Sequence, residues 1–169
     1  MREILKRLEL SFEDIPASEG MDPSVEVIGL DFENADAALG WRMALFVHND
    51  KSLIRFFSLL FPVTDEVNMF RLLETLNYIN YEVLLDGGIE YSPPNQRVRL
   101  KSSFRSLGKG LPVAEAQAAF RFELTRCDYF ARLLRKLDFT SDESIDKSIE
   151  AARDVLRLEI GLAKHPNLA

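Results

Sequence analysis

The stretch from Asn80 to Phe104, NYEVLLDGGIEYSPPNQRVRLKSSF, constrains this chain more than any other. Val83, Leu85, Ile89 and Tyr91 mark one apolar face on a first arm; Val98, Leu100, Ser102 and Phe104 mark one on a second. A period of two is the signature of half-buried strands. Ser92-Pro93-Pro94-Asn95 lies between the arms and cannot continue a ladder, because proline has no N–H to give. The stretch therefore reads as a β-hairpin with a helix leading in and another leading out. With Tyr91 facing Gln96, Glu90 falls opposite Arg97, Asp86 opposite Lys101 and Glu82 opposite Arg105. The same register sets Ile89 against Val98 and Val83 against Phe104. Both faces are satisfied together, and a slip of one residue would carry the charges into the core. Arg99 then faces Gly88 and is the cation left without a carboxylate. Gly87-Gly88 interrupts the first arm, which predicts a bulge or a close backbone approach.

The other elements follow from spacing. Ile4, Leu5 and Leu8 predict a short amphipathic helix over 2–10. Val25, Val27 and Leu30 suggest a short strand, and Asn34 to Leu39 a turn or a single helical turn. Trp41, Met43, Leu45 and Val47 alternate along the next strand. After the turn His48-Asn49-Asp50-Lys51, residues 52–61 are apolar on nearly both faces, as in a central strand covered on both sides. Thr64 is placed to cap a helix whose stripe is Met69, Leu72, Leu73, Leu76 and Ile79. Pro112 opens the longest helix, Val113 to Leu137, with Ala116, Phe120, Leu124, Cys127, Ala131 and Leu134 on one face. Thr140-Ser141-Asp142-Glu143 is a capping box for a last helix, with Ile145, Ile149, Ala152, Leu156, Ile160 and Ala163 on its stripe; His165-Pro166 ends it. Strands joined by short turns pair antiparallel. The expected fold class is α+β: an antiparallel sheet of about five strands covered by helices, with the last helix added at the C-terminus.

Composition narrows the function. A net charge of −6 argues against a general nucleic-acid binder. One cysteine leaves no internal disulfide and no multi-cysteine zinc site. The charged start, MREILKR, has no signal-peptide core, and no run reaches the ~18–20 apolar residues of a membrane span. A cytoplasmic protein without membrane or nucleic-acid partners is expected.

Catalytic constellations are not found. His48 and His165 are isolated, with no ligand at metal spacing. Cys127 lies on the apolar face of its helix, where a thiol is buried and inert. Gly108-Lys109-Gly110 lacks the GxxxxGK[ST] pattern of a phosphate loop. No catalytic residue, metal or cofactor is expected. Two features remain. Arg97, Arg99 and Lys101, with Lys109, form a candidate anion-binding stripe, set against the simpler reading in which Glu82, Asp86 and Glu90 pair with its cations. Phe122, Tyr129 and Leu133 lie opposite the main stripe of the long helix. They are a candidate partner-binding or dimer surface, unless the last helix covers them.

Four stretches carry a family resemblance: WRMALFVHNDKSLIRFFSLLFPV, LLETLNYIN, the hairpin, and FELTRCDYFARLLRKL. Together they resemble the YbjN family, called bacterial sensory transduction regulators, which shares the fold of type III secretion chaperones. The likeness divides a single domain, 1–169, into a variable N-terminal part (1–39), a YbjN-like core (40–137) and an additional helix (140–164). The loop LGKGLP and that last helix depart from the family pattern. The resemblance implies a non-enzymatic regulator or chaperone-like adaptor that binds a protein partner and forms a homodimer. The contrasting expectation is a small anionic-ligand-binding or enzymatic domain built on the Arg97/Arg99/Lys101 stripe.

Overall fold

The computed structural model describes residues 1–16, 20–32, 40–84, 86–107 and 110–164, with side chains described as far as residue 157. The element order is α1 (Arg2–Arg7), β1 (Glu13–Asp14), β2 (Val25–Phe32), β3 (Trp41–His48), β4 (Leu53–Pro62), α2 (Met69–Tyr78), β5 (Gly88–Ser92), β6 (Arg97–Arg105), α3 (Val113–Lys136) and α4 (Ile145–Lys164). The strands form one antiparallel sheet in the order β1-β2-β3-β4-β6-β5. The α+β class holds, with six strands where about five were expected. The predicted turn at Asn34–Leu39, and Leu85, Lys109 and His165, lie outside the described residues.

The register sorts side chains onto two faces. Leu30, Met43, Leu45, Ile54, Phe56 and Leu100 share one face and are buried. Ile4 and Leu5 of α1, Leu72 and Leu76 of α2, Phe120 and Leu134 of α3, and Ile149 and Leu156 of α4 close over it in one core cluster. All four helices thus serve the same face. The opposite face carries Ala44, Phe46, Phe57 and Leu59, all half-buried, among Arg42, Arg55, Arg99 and Lys101. This corrects the double covering predicted for residues 52–61. Their apolar run has another cause. The β4–β6 register shifts between Leu59 and Phe61, so Leu60 is an inserted residue. The bulge changes the strand's parity: Leu59 faces Arg99, but Phe61 faces Val98 and meets Phe139 on the helical side.

Helix starts differ from the predicted caps. Asn68, not Thr64, accepts the Arg71 N–H at 3.1 Å and caps α2, while Thr64 closes a turn with Val67. The 140–143 segment also forms a turn, Glu143 N–H donating to Ser141 Oγ at 3.0 Å, and α4 begins at Ile145. A backbone carbonyl in the first place and a side-chain hydroxyl in the second satisfy the chain locally before the helix starts.

The hairpin is shorter than its sequence suggests. Ile79–Val83 continues α2 as a π turn rather than forming a first arm. Pro93–Asn95 makes a 3-10 turn and Gln96 is left-handed, with φ 47°. Gln96 therefore belongs to the loop, and Ser92, which has an N–H, stays in the strand opposite Arg97. The register moves by two residues, which preserves every face but changes each pair: Glu90 faces Arg99, and Gly88 faces Lys101. No Asp86–Lys101 or Glu82–Arg105 ion pair forms. Arg99 was expected to stand alone, yet it pairs with Glu90.

Asn80, on the π turn, holds the outer edge of β5. Its Nδ2 donates to the Ile89 carbonyl at 2.7 Å, and its Oδ1 accepts the Ile89 N–H at 2.8 Å. One amide side chain thus takes the place of a neighbouring strand at that single rung. Asn80→Ala should cost about 1–3 kcal/mol in a denaturant titration, because both main-chain groups lose their partner. Asn80→Asp should recover part of that, keeping the acceptor.

Candidate protein-binding site

β6 runs from Arg97 to Arg105, but β5 covers it only as far as Lys101. Hydrogen-bonding direction alternates along a strand, and Asn80 shows that Ile89 points away from β6. Gly88 and Glu90 therefore point toward β6, where they meet Lys101 and Arg99. Ser103 and Arg105 point the same way as Arg99 and Lys101, and no described strand lies opposite them there. Even-numbered residues point to β4, consistent with Ser106 N–H donating to Ser52 O at 3.0 Å.

A groove of about 390 Å³ runs beside this edge, lined by Ser102, Phe104, Ala118, Ala119 and Phe122 among others. The two alanines keep this side of α3 low, and Phe122 stands beside them at 63% exposure. Ser102 Oγ is out of contact with solvent and without a hydrogen-bond partner.

The floor of the groove is fixed by an ion pair that sequence reasoning missed. Glu123 and Arg126 approach at 2.8 Å, with side chains 3% and 9% exposed. The contact is electrostatic rather than a well-aligned hydrogen bond. Arg126 Nη1 donates to the Asp86 carbonyl at 2.8 Å, and its guanidinium lies 5.6 Å from the Phe122 ring centre. A sequence signal existed: Glu123 is three residues after Phe120 and four before Cys127, both on the apolar stripe. Asp86 leads into Gly87, whose φ is +81°. A Cβ there would lie 2.3 Å from the Lys101 carbonyl oxygen. The close approach expected at Gly87-Gly88 is thus at Gly87.

The predicted partner surface does not come together. Phe122 is exposed, Tyr129 is half-buried with its ring edge-to-face on Phe130, and Leu133 is completely buried in the core. The helix rotates so that Leu133 faces inward with Leu134. Cys127 is buried, and loss of solvation pushes its thiol far above the ordinary value, with Glu123 adding to the effect.

The cationic stripe lies on the open face of the sheet. Glu90 takes a hydrogen bond from Arg99 Nε at 3.0 Å and an ion pair from Lys101 at 2.6 Å. Burial works to raise the Glu90 pKa, but its bonds to Lys101 and Arg99 prevail and hold it below the usual value. Arg97 has no ion-pair partner among the described residues, and Lys109 lies outside them. His48 is half-buried, and desolvation lowers its pKa, helped by Arg55 and Lys51. Among the described residues, no group of three or more His, Cys, Asp or Glu is arranged to hold a metal ion. No described helix is long and apolar enough to cross a membrane.

No protein-family model matches the chain, and no curated protein matches it. Among solved structures, the crystal structure of the ExsC-ExsE complex contains a chain similar to this one, with a TM-score of 0.47 and 13% sequence identity. The match covers 78% of this chain and 88% of that chain.

Proposed function

We propose that the protein is a non-enzymatic, protein-binding regulator or chaperone-like adaptor of the YbjN class, cytoplasmic and homodimeric, and that it captures an extended segment of a protein partner. The observation that carries this reading is the four-residue overhang of β6 beside the Phe122 groove. An added strand takes its affinity from main-chain hydrogen bonds and its selectivity from pockets for alternate side chains. Ser103 and Arg105 supply the main-chain groups here. The groove under Phe122 receives every second side chain, and the intervening ones point toward the open face. Glu90 already occupies two of the three cations in the anion-site alternative, which weighs against it.

The test is selection of short peptides from a random library on the purified protein. Selected sequences should alternate apolar residues, and bound peptide should slow amide exchange at Ser103 and Arg105. Ser103→Pro removes a donor that no described strand pairing across that edge uses, and Phe122→Asp places a charge in the groove. Each should weaken binding about tenfold or more without unfolding the protein. Peptides that bind both variants as tightly as wild type would exclude the site.

A further inference from the structure

The strand already paired with β6 shows what that lane asks of a visitor. β5 buries Ile89 on the helical side and sets Glu90 on the open face of the sheet. There the Glu90 carboxylate takes a hydrogen bond from Arg99 Nε at 3.0 Å and pairs with Lys101 at 2.6 Å. The chain's own segment in this lane is thus apolar on one side and acidic on the other.

Past Gly88 the cations continue but the acids do not. Along β6 the open-face positions read Arg97, Arg99, Lys101, Ser103 and Arg105, and Ser103 stands opposite exposed Arg55 of β4. Elsewhere on this face Arg42 is held by Asp31 and Glu13, and Glu90 is shared by Arg99 and Lys101. Among the described residues, Arg55 and Arg105 have no ion-pair partner, and both flank the uncovered end of β6. The helical side of the ledge has the reverse sign. Asp86 and Glu115 line the Phe122 groove, and Glu123 in its floor is already held by Arg126.

We infer that the segment captured at this overhang is acidic: it carries carboxylates at the two positions opposite Ser103 and Arg105, with an apolar residue between them entering the Phe122 groove. This rests on the strand capture proposed above and names the chemistry of the captured segment. Side chains on one face of a strand repeat every ~7 Å, so carboxylates at alternate positions run in step with the cations of β6. A slip of one residue would turn them toward Asp86 and Glu115, so the two charged sides also fix the register. A phosphate backbone would meet the same cations, but its bases would find no free stacking platform. Phe46 and Phe57 pack edge-to-face at 5.1 Å, and the Arg99 guanidinium lies over the Phe57 ring at 5.5 Å.

Peptides from the library selection, resynthesised with Glu, Gln or Lys at the intervening positions, test this by fluorescence anisotropy on the full chain. The Glu peptide should bind about three- to tenfold more tightly than the Gln peptide, and the Lys peptide most weakly. Arg105→Glu and Arg55→Glu, both at exposed positions, should reverse that order with unchanged circular dichroism. Arg97→Glu should preserve it, because Arg97 lies about 20 Å back along the strand from Ser103, beyond the ~8 Å screening length at physiological salt. Equal affinity of the Glu and Gln peptides would overturn the acidic segment and leave strand capture standing. An order abolished by Arg97→Glu would overturn its placement at the overhang. A labelled oligothymidylate that displaces the Glu peptide from wild type but not from Arg105→Glu would assign the cations to phosphates and overturn the inference. A selection that yields no binding peptide would overturn strand capture itself, and this inference with it.

Discussion

Arg126→Ala should lower stability by about 3–5 kcal/mol, read from the denaturant midpoint at unchanged slope. Glu123 is left buried with an uncompensated charge, and the groove floor loses the bond to the Asp86 carbonyl. Glu123→Ala should cost a similar amount, since Arg126 is the more difficult ion to leave unpaired among apolar neighbours. The decisive variant is the double replacement Glu123→Leu with Arg126→Met. Removing both charges removes both desolvation penalties, so the double variant should return to within about 1 kcal/mol of wild type or exceed it. The coupling between the two positions is then the measured quantity. Single variants within about 0.5 kcal/mol of wild type would show that water reaches the pair.

The second large effect is at Gly87. Gly87→Ala should cost about 3 kcal/mol or more. Part is conformational, since a residue with a side chain pays about 1–2 kcal/mol in the left-handed region. The rest comes from the 2.3 Å approach of the new Cβ to the Lys101 carbonyl oxygen. That oxygen belongs to the β6 backbone and cannot swing aside as a side-chain tip can, so β5 must move off β6. Gly110 provides the control. Its φ is +84°, and a Cβ there meets nothing within 4 Å. Gly110→Ala should show the conformational cost only, and the difference between the two variants isolates the close approach. Equal losses would remove the clash from the account.

Much of the fold is written in periodicity. The alternation in β3 and in 97–104, the stripe of α2 and the length of α3 all translate directly into buried faces. The errors have local causes. Ser92 and Gln96 can each serve as strand or loop, and the proline turn settled the matter two residues away from the charge-matched choice. Both choices leave the same side chains on the same face, so the hydrophobic pattern could not separate them. Leu59-Leu60-Phe61 looked like a strand buried on both sides because a bulge and double coverage produce the same run of apolar letters. β1, two residues long, is too short to have a period at all. At the candidate site, the sequence marked Phe122 as surplus to the core. It also marked Leu133, which a small rotation of α3 turned inward. The overhang of β6 had no signature, because it depends on where β5 stops. β5 stops at Gly88 because Gly87 is left-handed, and the chain then turns toward the π turn.

Asn80 has a consequence for the behaviour of the protein in a crowded solution. Every open sheet is a template for its own copies, and growth by edge-to-edge stacking needs two accepting ends. Here one end strand is two residues long, and the Ile89 rung of the other is occupied by an amide from the same chain. Among the described strands, both end strands are thus poor templates for sheet growth, and the inner ledge at Ser103 and Arg105 stays open. That ledge is long enough for one visiting segment and too short to nucleate a fibre. The molecule remains receptive without being self-propagating.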